Sequence, residues 1–308
     1  MDATQPYIRP PTVDDILKYA SEHGISLTET EASEYTELIE SKLGVLRQLE
    51  QLPDPMQNSE YNWTDRKMGS RPTTADDPYN AFVRNCVVAG ADSGPLAGVT
   101  VGIKDNIAVA GVEMTAGSKV YEGYVPTFDA AVVSRLLDAG ADVVGKTNLD
   151  ELAVSGSGEP TASGPILNPH SDQHLAGGSS GGAAVALATR MVPIADGSDM
   201  MGSLRNPAGW TNVYGMRPSW GRVPAEPQGD TFLHPLSTEG PMGRSPGDLA
   251  LLLGVMSGPD PRQPFGLTGT GAALTGRVVR CPAGGGRRVR GDGVGVCLCR
   301  EHGGSPAM

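Results

Sequence analysis

Asp129 to Glu151 reads DAAVVSRLLDAGADVVGKTNLDE, and this run decides the fold class. Ala130 to Leu137 carries apolar residues at helical spacing between Asp129 and the helix-stopping Gly140, and Ala141 to Val144 follows as a short β-branched run. Helix, tight turn, strand is the repeating step of a layered α/β domain. The same step is legible on both sides. Val99 to Ile103 is a β-branched run, Gly182 to Arg190 an Ala-rich helix, Val192 to Ala195 a third buried-strand candidate and Asp248 to Met256 another apolar helix.

The quoted run also contains GADVVGKT, residues 140–147, which fits G-x-x-x-x-G-K-[ST] letter for letter. A phosphate-binding loop needs a strand before it and a helix beginning at the Lys, so that backbone N–H groups converge on the phosphates. Here a helix comes before and the supposed loop, Ala-Asp-Val-Val, is itself a strand. Nucleotide binding is therefore a distant alternative.

Further out, the first 55 residues read as two helices. Thr12 and Asp15 form a capping pattern ahead of Ile16, Leu17 and Ala20, and Tyr35, Leu38, Ile39, Leu46 and Leu49 recur near helical spacing in the second. Leu52 to Pro78, rich in Pro, Asp, Ser and Thr, reads as a linker or wrapping loop. At the other end, Gly276 to Met308 holds nine of the 42 glycines, six of the arginines and three of the four cysteines. Six arginines against two acids give it +4, which leaves −15 for residues 1–275 of a chain at −11. No period of 2 or 3.6 survives there. Three readings compete: a basic tail, a metal site at the C-x-C pair Cys297 and Cys299, and, preferred, out-of-frame translation of a GC-rich gene. An intact reading frame across codon 276 in independent isolates would exclude the last. The domain expectation is 1–70 helical segment and linker, 71–275 the α/β domain, and 276–308 a disordered or frameshifted tail.

Composition narrows the class. With 39% apolar and 19% charged residues the chain is globular, and no apolar run approaches the roughly 18 residues of a membrane span. Met1 to Pro11 is polar, so no secretory leader is expected. The acidic balance argues against a nucleic-acid partner. Cys86 is the single cysteine before the tail, which suits a reducing, cytoplasmic setting.

Four features invite chemistry, the nucleotide-like motif being the first. AGGSSGGAA, residues 176–184, contains G-x-S-x-G twice, but the stretch before it, Asn168 to His174, reads as loop, and a Ser-His-Asp triad would need His234 or His302. DGSDMMGSLRNP, residues 196–207, places Gly202 and Ser203 just after a strand, where N–H groups can converge as an oxyanion hole requires. Lys104 closes the alternating run Val99, Val101, Ile103, and a Lys at the end of a buried strand can lose its proton to desolvation. Each has an ordinary structural reading when taken alone.

Together and in this order, LAGVTVGIKDNIAVAG (96–111), GKTNLDE (145–151), the Gly-Gly-Ser-Ser-Gly-Gly run and GSDMMGSLRNPA (197–208) resemble the amidase signature family. Gly215 to Pro218 and Gly240 to Ser245 look like its continuation, so the resemblance covers roughly residues 71–270. It implies an amidase-signature α/β fold, a mixed central sheet covered by helices on both faces and preceded by the N-terminal helical segment. It also implies a Ser-cisSer-Lys triad at Ser203, Ser179 and Lys104, in which Ser203 is the nucleophile and Ser179 passes protons to Lys104. The N–H groups of Met200, Met201, Gly202 and Ser203 would hold the oxyanion. Ser180 and Asp199 would support the site, with Ser155, Gly156 and Ser157 bordering the substrate pocket. No metal or other cofactor is required.

Two departures stand out. The family pattern Asp-x-Gly-Gly-Ser is Asp199-Met-Met-Gly-Ser203 here, which puts a bulky Met201 beside the acyl site and leaves the hole intact only if Met201 keeps φ below zero. Family members also commonly run on well beyond residue 275, so the sheet is expected to be incomplete and the 308-residue chain to aggregate or turn over little. The leading expectation is hydrolysis of a small carboxamide to an acid and ammonia through a Ser acyl-enzyme. An inactive truncated amidase is one alternative, and the glutaminase component of a tRNA-dependent amidotransferase is the other. A homodimer is held open, with neither nucleic acid nor membrane as a partner.

Overall fold

The computed structural model describes residues 9–50, 63–225, 236–263 and 266–268. His234 and the tail from Gly276, with Cys297, Cys299 and His302, lie outside the described residues. The chain divides into two compact units, residues 1–58 and 59–308.

In the first unit, α1 (Val13–Glu22) begins at Thr12 with a full capping box, the Asp15 N–H donating to Thr12 Oγ1 and the Thr12 N–H to Asp15. Such reciprocal caps satisfy two N–H groups that the helix cannot. Thr28 and Glu31 repeat the arrangement ahead of α2 (Glu29–Glu50).

The second unit is built on a seven-stranded mixed sheet. Its strands are β1 (Arg66–Ser70), β2 (Phe82–Val88), β3 (Thr100–Lys104), β4 (Asp142–Thr147), β7 (Ile194–Asp199), β8 (Tyr214–Gly215) and β9 (Thr238–Gly243), in the order β1-β2-β4-β3-β7-β9-β8. β3 runs parallel to β4 and β7, and the remaining pairs are antiparallel. The three strands read from sequence are its centre, β4-β3-β7. Parallel neighbours demand crossovers, and α3 (Ala131–Asp138) and α4 (Gly181–Ala188) lie in those connections. α3 and α6 (Pro246–Met256) share one apolar core with Val101, Ile103, Val143 and Ile194, while α4 shares the other with Phe82, Ala195 and Met242. Side chains alternate across a strand, so Ile194 and Ala195 serve opposite faces and both faces are covered. Each fully buried Leu in these layers, such as Leu136 and Leu187, contributes about 1.5–3 kcal/mol.

Two stretches differ from their sequence reading. Arg66–Ser70, inside the region whose composition reads as linker, is the edge strand β1. Arg66 forms a fork on Asp129, with Nη1–Oδ1 2.9 Å and Nη2–Oδ2 2.6 Å, and Asp129 is spent on this pair and on the Ala110 N–H rather than on capping α3. The stretch from Asn168 to His174, expected to be loop, contributes to a hairpin of β5 (Leu167–Asn168) and β6 (Ser171–Leu175), because Asn168 and Ser171 pair across a two-residue turn and Leu167 pairs with Leu175 beyond a register shift. α5 (Arg205–Trp210) completes the fold directly after the Ser203 loop.

Candidate active site

Lys104 is the last residue of β3 and is fully buried. Its Nζ lies 2.8 Å from Ser179 Oγ and 2.9 Å from Ser198 Oγ, and 3.4 Å from the Ser198 carbonyl. Burial is the main force on this amine and pushes it from 10.5 down to about 7, against the opposing pull of the neighbouring carboxylates, Asp150 first and then Asp196 and Asp199. A Lys held there is neutral in an appreciable fraction near neutrality, and its lone pair is then free to accept a proton.

Ser179 is brought to Lys104 by the glycine run. The Gly178–Ser179 peptide is cis, and Ser179 and Ser180 are both fully buried at the start of α4. A Cβ at Gly178 would fall 2.4 Å from Asp150 Oδ2, so any side chain there requires the buried Asp150 carboxylate to shift. Neighbouring loops fasten the turn. The Gly178 N–H donates to the Gly156 carbonyl at 2.8 Å, and Asn206 Nδ2 donates to both the Gly156 and Gly178 carbonyls. Ser155 and Ser157 lie side by side in that loop, their hydroxyls 3.3 Å apart.

Ser203 follows β7 by four residues and is half-buried. The Ser180 N–H donates to its carbonyl at 3.1 Å, which joins the two serine-bearing loops, and Ser180 Oγ donates to the Ser198 carbonyl at 3.3 Å. Gly202 has φ +148°, a conformation that favours glycine, whereas Met201 is not among the positive-φ residues and points its side chain into solvent, 82% exposed. The Met in place of glycine is thus accommodated without backbone strain. Asp199, fully buried, holds the loop between Met200 and Leu204: it accepts from the Leu204 N–H at 3.1 Å and from Arg205 through Nε and Nη2 at 3.0 and 3.1 Å. Arg217 adds a contact to its carbonyl at 3.2 Å.

The false nucleotide motif is resolved by burial. Lys146 lies in β4, fully buried, with Nζ 2.5 Å from the Ile107 carbonyl and 3.4 Å from Asp105 Oδ1, so it faces the interior rather than a phosphate site. Nor do the described histidines of the hairpin complete a Ser-His pair at the glycine run: the rings of His170 and His174 contact the Thr211 carbonyl and Ser171.

Sequence reasoning missed Ser198 and Asn106. Ser198 Oγ is shared by Lys104 Nζ and Asn106 Nδ2, the latter at 3.2 Å. Strand alternation along Asp196-Gly-Ser198 was the available signal, but nothing local says which face meets the amine.

A model of the family described as Amidase matches residues 83–267. A glutamyl-tRNA(Gln) amidotransferase subunit from Deinococcus deserti is 48% identical over 175 residues, covering 57% of this chain and 36% of that protein. Among solved structures, the peptide amidase of Stenotrophomonas maltophilia matches with a TM-score of 0.54 at 36% identity, over 60% of this chain and 39% of its own. The corresponding glutamyl-tRNA(Gln) amidotransferase subunit of Thermotoga maritima matches with 0.54 at 32% identity, over 67% and 42%. The chain thus spans roughly two-fifths of the length of the proteins it matches. Among the described residues, no helix is long and apolar enough to cross a membrane.

Proposed function

Because the chain belongs to the Amidase family, we propose that it is, or is part of, an enzyme that hydrolyses a small carboxamide to a carboxylic acid and ammonia. The observation that carries this reading is the 2.8 Å approach of a buried, proton-poor Lys104 to Ser179. In the proposed cycle Ser203 Oγ attacks the amide carbon while its proton passes to Ser179, whose own proton moves to Lys104 Nζ. The N–H groups from Met200 to Ser203 receive the oxyanion. Collapse breaks the C–N bond, and the proton returns from Lys104 through Ser179 to the departing nitrogen, leaving an ester on Ser203. Water then follows the same proton route and releases the acid.

Ser180 and Asp199 support this site through the contacts given above, and the Ser155-Gly156-Ser157 loop borders the substrate. The proposed setting is a cytoplasmic enzyme, with neither nucleic acid nor membrane as a partner and a homodimer held open as its assembly. A fluorophosphonate probe, which forms a covalent ester with an activated serine, tests the roles. Labelling of the chain that disappears in Ser203→Ala and persists in Ser180→Ala is expected; labelling retained in Ser203→Ala overturns the assignment. The glutaminase reading is favoured by the 48% identity to the Deinococcus deserti amidotransferase component. Ammonia release from glutamine that requires a partner protein would select it over a stand-alone amidase.

A further inference from the structure

β9 brings an acid to this site that the proposed cycle does not use. In the β7–β9 ladder Ser198 lies opposite Glu239 and Asp196 opposite Pro241. Residues two apart share a face, so Asp196 and Glu239 are diagonal neighbours on one face of the sheet. Both are buried. The backbone pairing of β3 with β7 gives Val101–Ile194 and Gly102–Ala195, and at the next step the Asp196 side chain takes over, its Oδ1 accepting the Lys104 N–H at 2.7 Å. Asp196 Oδ2 and Glu239 Oε2 are each buried without a protein hydrogen-bond partner.

Two ionised carboxylates can only accept, so neither orphan oxygen can satisfy the other while both are charged. One proton placed between them turns two unsatisfied acceptors into a single hydrogen bond and removes one buried charge. We propose that Asp196 and Glu239 hold one proton between them, Glu239 Oε2–H donating to Asp196 Oδ2, and that Glu239 is thereby a positioning residue for Lys104. The electrostatics agree in direction. Burial raises Asp196 from 3.8 to about 7 and lifts Glu239 well above its ordinary 4.5, where the neighbouring Asp196 charge adds to the effect. The charged groups acting on the pair and its Lys come from each packed strand: Lys104 at the end of β3, Lys146 on β4 with its partner Asp105, Asp150 after β4, and Asp199 farther along β7. Asp196 carries the single negative charge of the pair and Glu239 is its neutral donor.

The structural half of this inference is independent of the amidase reading, and only its kinetic half rests on it. The infrared spectrum of the 308-residue chain in D₂O at pH 7 is expected to contain a protonated-carboxyl C=O band that Glu239→Gln removes. Absence of the band, or its survival in Glu239→Gln, overturns the proposal whether or not the chain labels. For the kinetic half, the rate of fluorophosphonate labelling at Ser203 is followed against pH. Glu239→Ala is expected to slow labelling at least threefold and Glu239→Gln, which keeps a neutral donor, to restore it with the half-point unmoved. Asp196→Asn removes an anion that holds the proton on Lys104, so its half-point moves to lower pH. A Glu239→Gln half-point displaced downward as far as that of Asp196→Asn would show that Glu239 is charged and overturn the proposal. A chain that shows the band but never labels would refute the amidase reading and leave the acid pair standing.

Discussion

Replacing Lys104 by Met separates what the fold sacrifices for a buried amine from what the chemistry gains. The amine is held at about 7 against an ordinary 10.5. Between those values the unfolded chain binds a proton that the folded chain does not, so the stability of the wild type rises with pH by about 1.4 kcal/mol per unit from this group. Across the whole window the cost of Lys104 is about 5 kcal/mol, fully present at pH 7 and below and gone above 10.5. Asp196 and Glu239 work in the opposite sense: their raised values make stability fall as pH rises above the ordinary carboxylate range, but both acids are present in the wild type and in Lys104→Met, so the difference between the two proteins isolates Lys104. Lys104→Met abolishes the titration and leaves the hydroxyls of Ser179 and Ser198 without the amine, a loss of about 1–3 kcal/mol that does not vary with pH over this range. Urea unfolding of both proteins at pH 7, 8 and 9 is the assay. The variant is expected to hold its largest relative advantage at pH 7 and to lose about 1.4 kcal/mol of it per pH unit. Parallel stability curves for the two proteins would refute the reasoning, because they would mean that Lys104 stays protonated in the fold. The same neutral amine predicts a labelling rate at Ser203 that falls about tenfold per pH unit below 7.

Asp129→Ala strands the Arg66 guanidinium, only 7% exposed, without its carboxylate; a loss of about 3–5 kcal/mol in urea unfolding is expected, and a loss under about 1 kcal/mol would deny the pair its role in fixing β1. Met201→Gly removes a solvent-directed side chain from a residue without positive φ, so it is expected to cost no more than about 1 kcal/mol while raising the labelling rate of a bulky phosphonate relative to a small one; an unchanged ratio would show that Met201 does not border the acyl site.

The central strands and the helices packed on them were legible because their patterns are local. An apolar run of β-branched residues, a Gly stop after α3 and the apolar stretch from Asp248 to Met256 in α6 each carry their signal within a few positions. β9 was not legible. Thr238 to Gly243 contains Gly-Pro-Met-Gly, which by composition is a turn, yet all six residues are buried between β7 and β8. Tertiary pairing overrides the local preference there. β2 was hidden for the opposite reason: Arg84 and Asn85 interrupt its apolar pattern, and Arg84 is stabilised by Glu113, a partner 29 residues away.

For the site, the residue order alone places Lys104, the paired serines Ser179 and Ser180, and Ser203 in a recognisable succession of glycine-rich loops, since loops that must bring backbone close to a reacting atom tolerate little besides glycine. What sequence could not decide is the state of those groups. The depressed proton affinity of Lys104, the sharing of Ser198 Oγ with Asn106 and the meeting of Asp196 with Glu239 arise from strands that are distant in sequence and adjacent in the sheet. Desolvation and charge act through space, so the chain order fixes which groups are present and the packed sheet fixes which of them are charged.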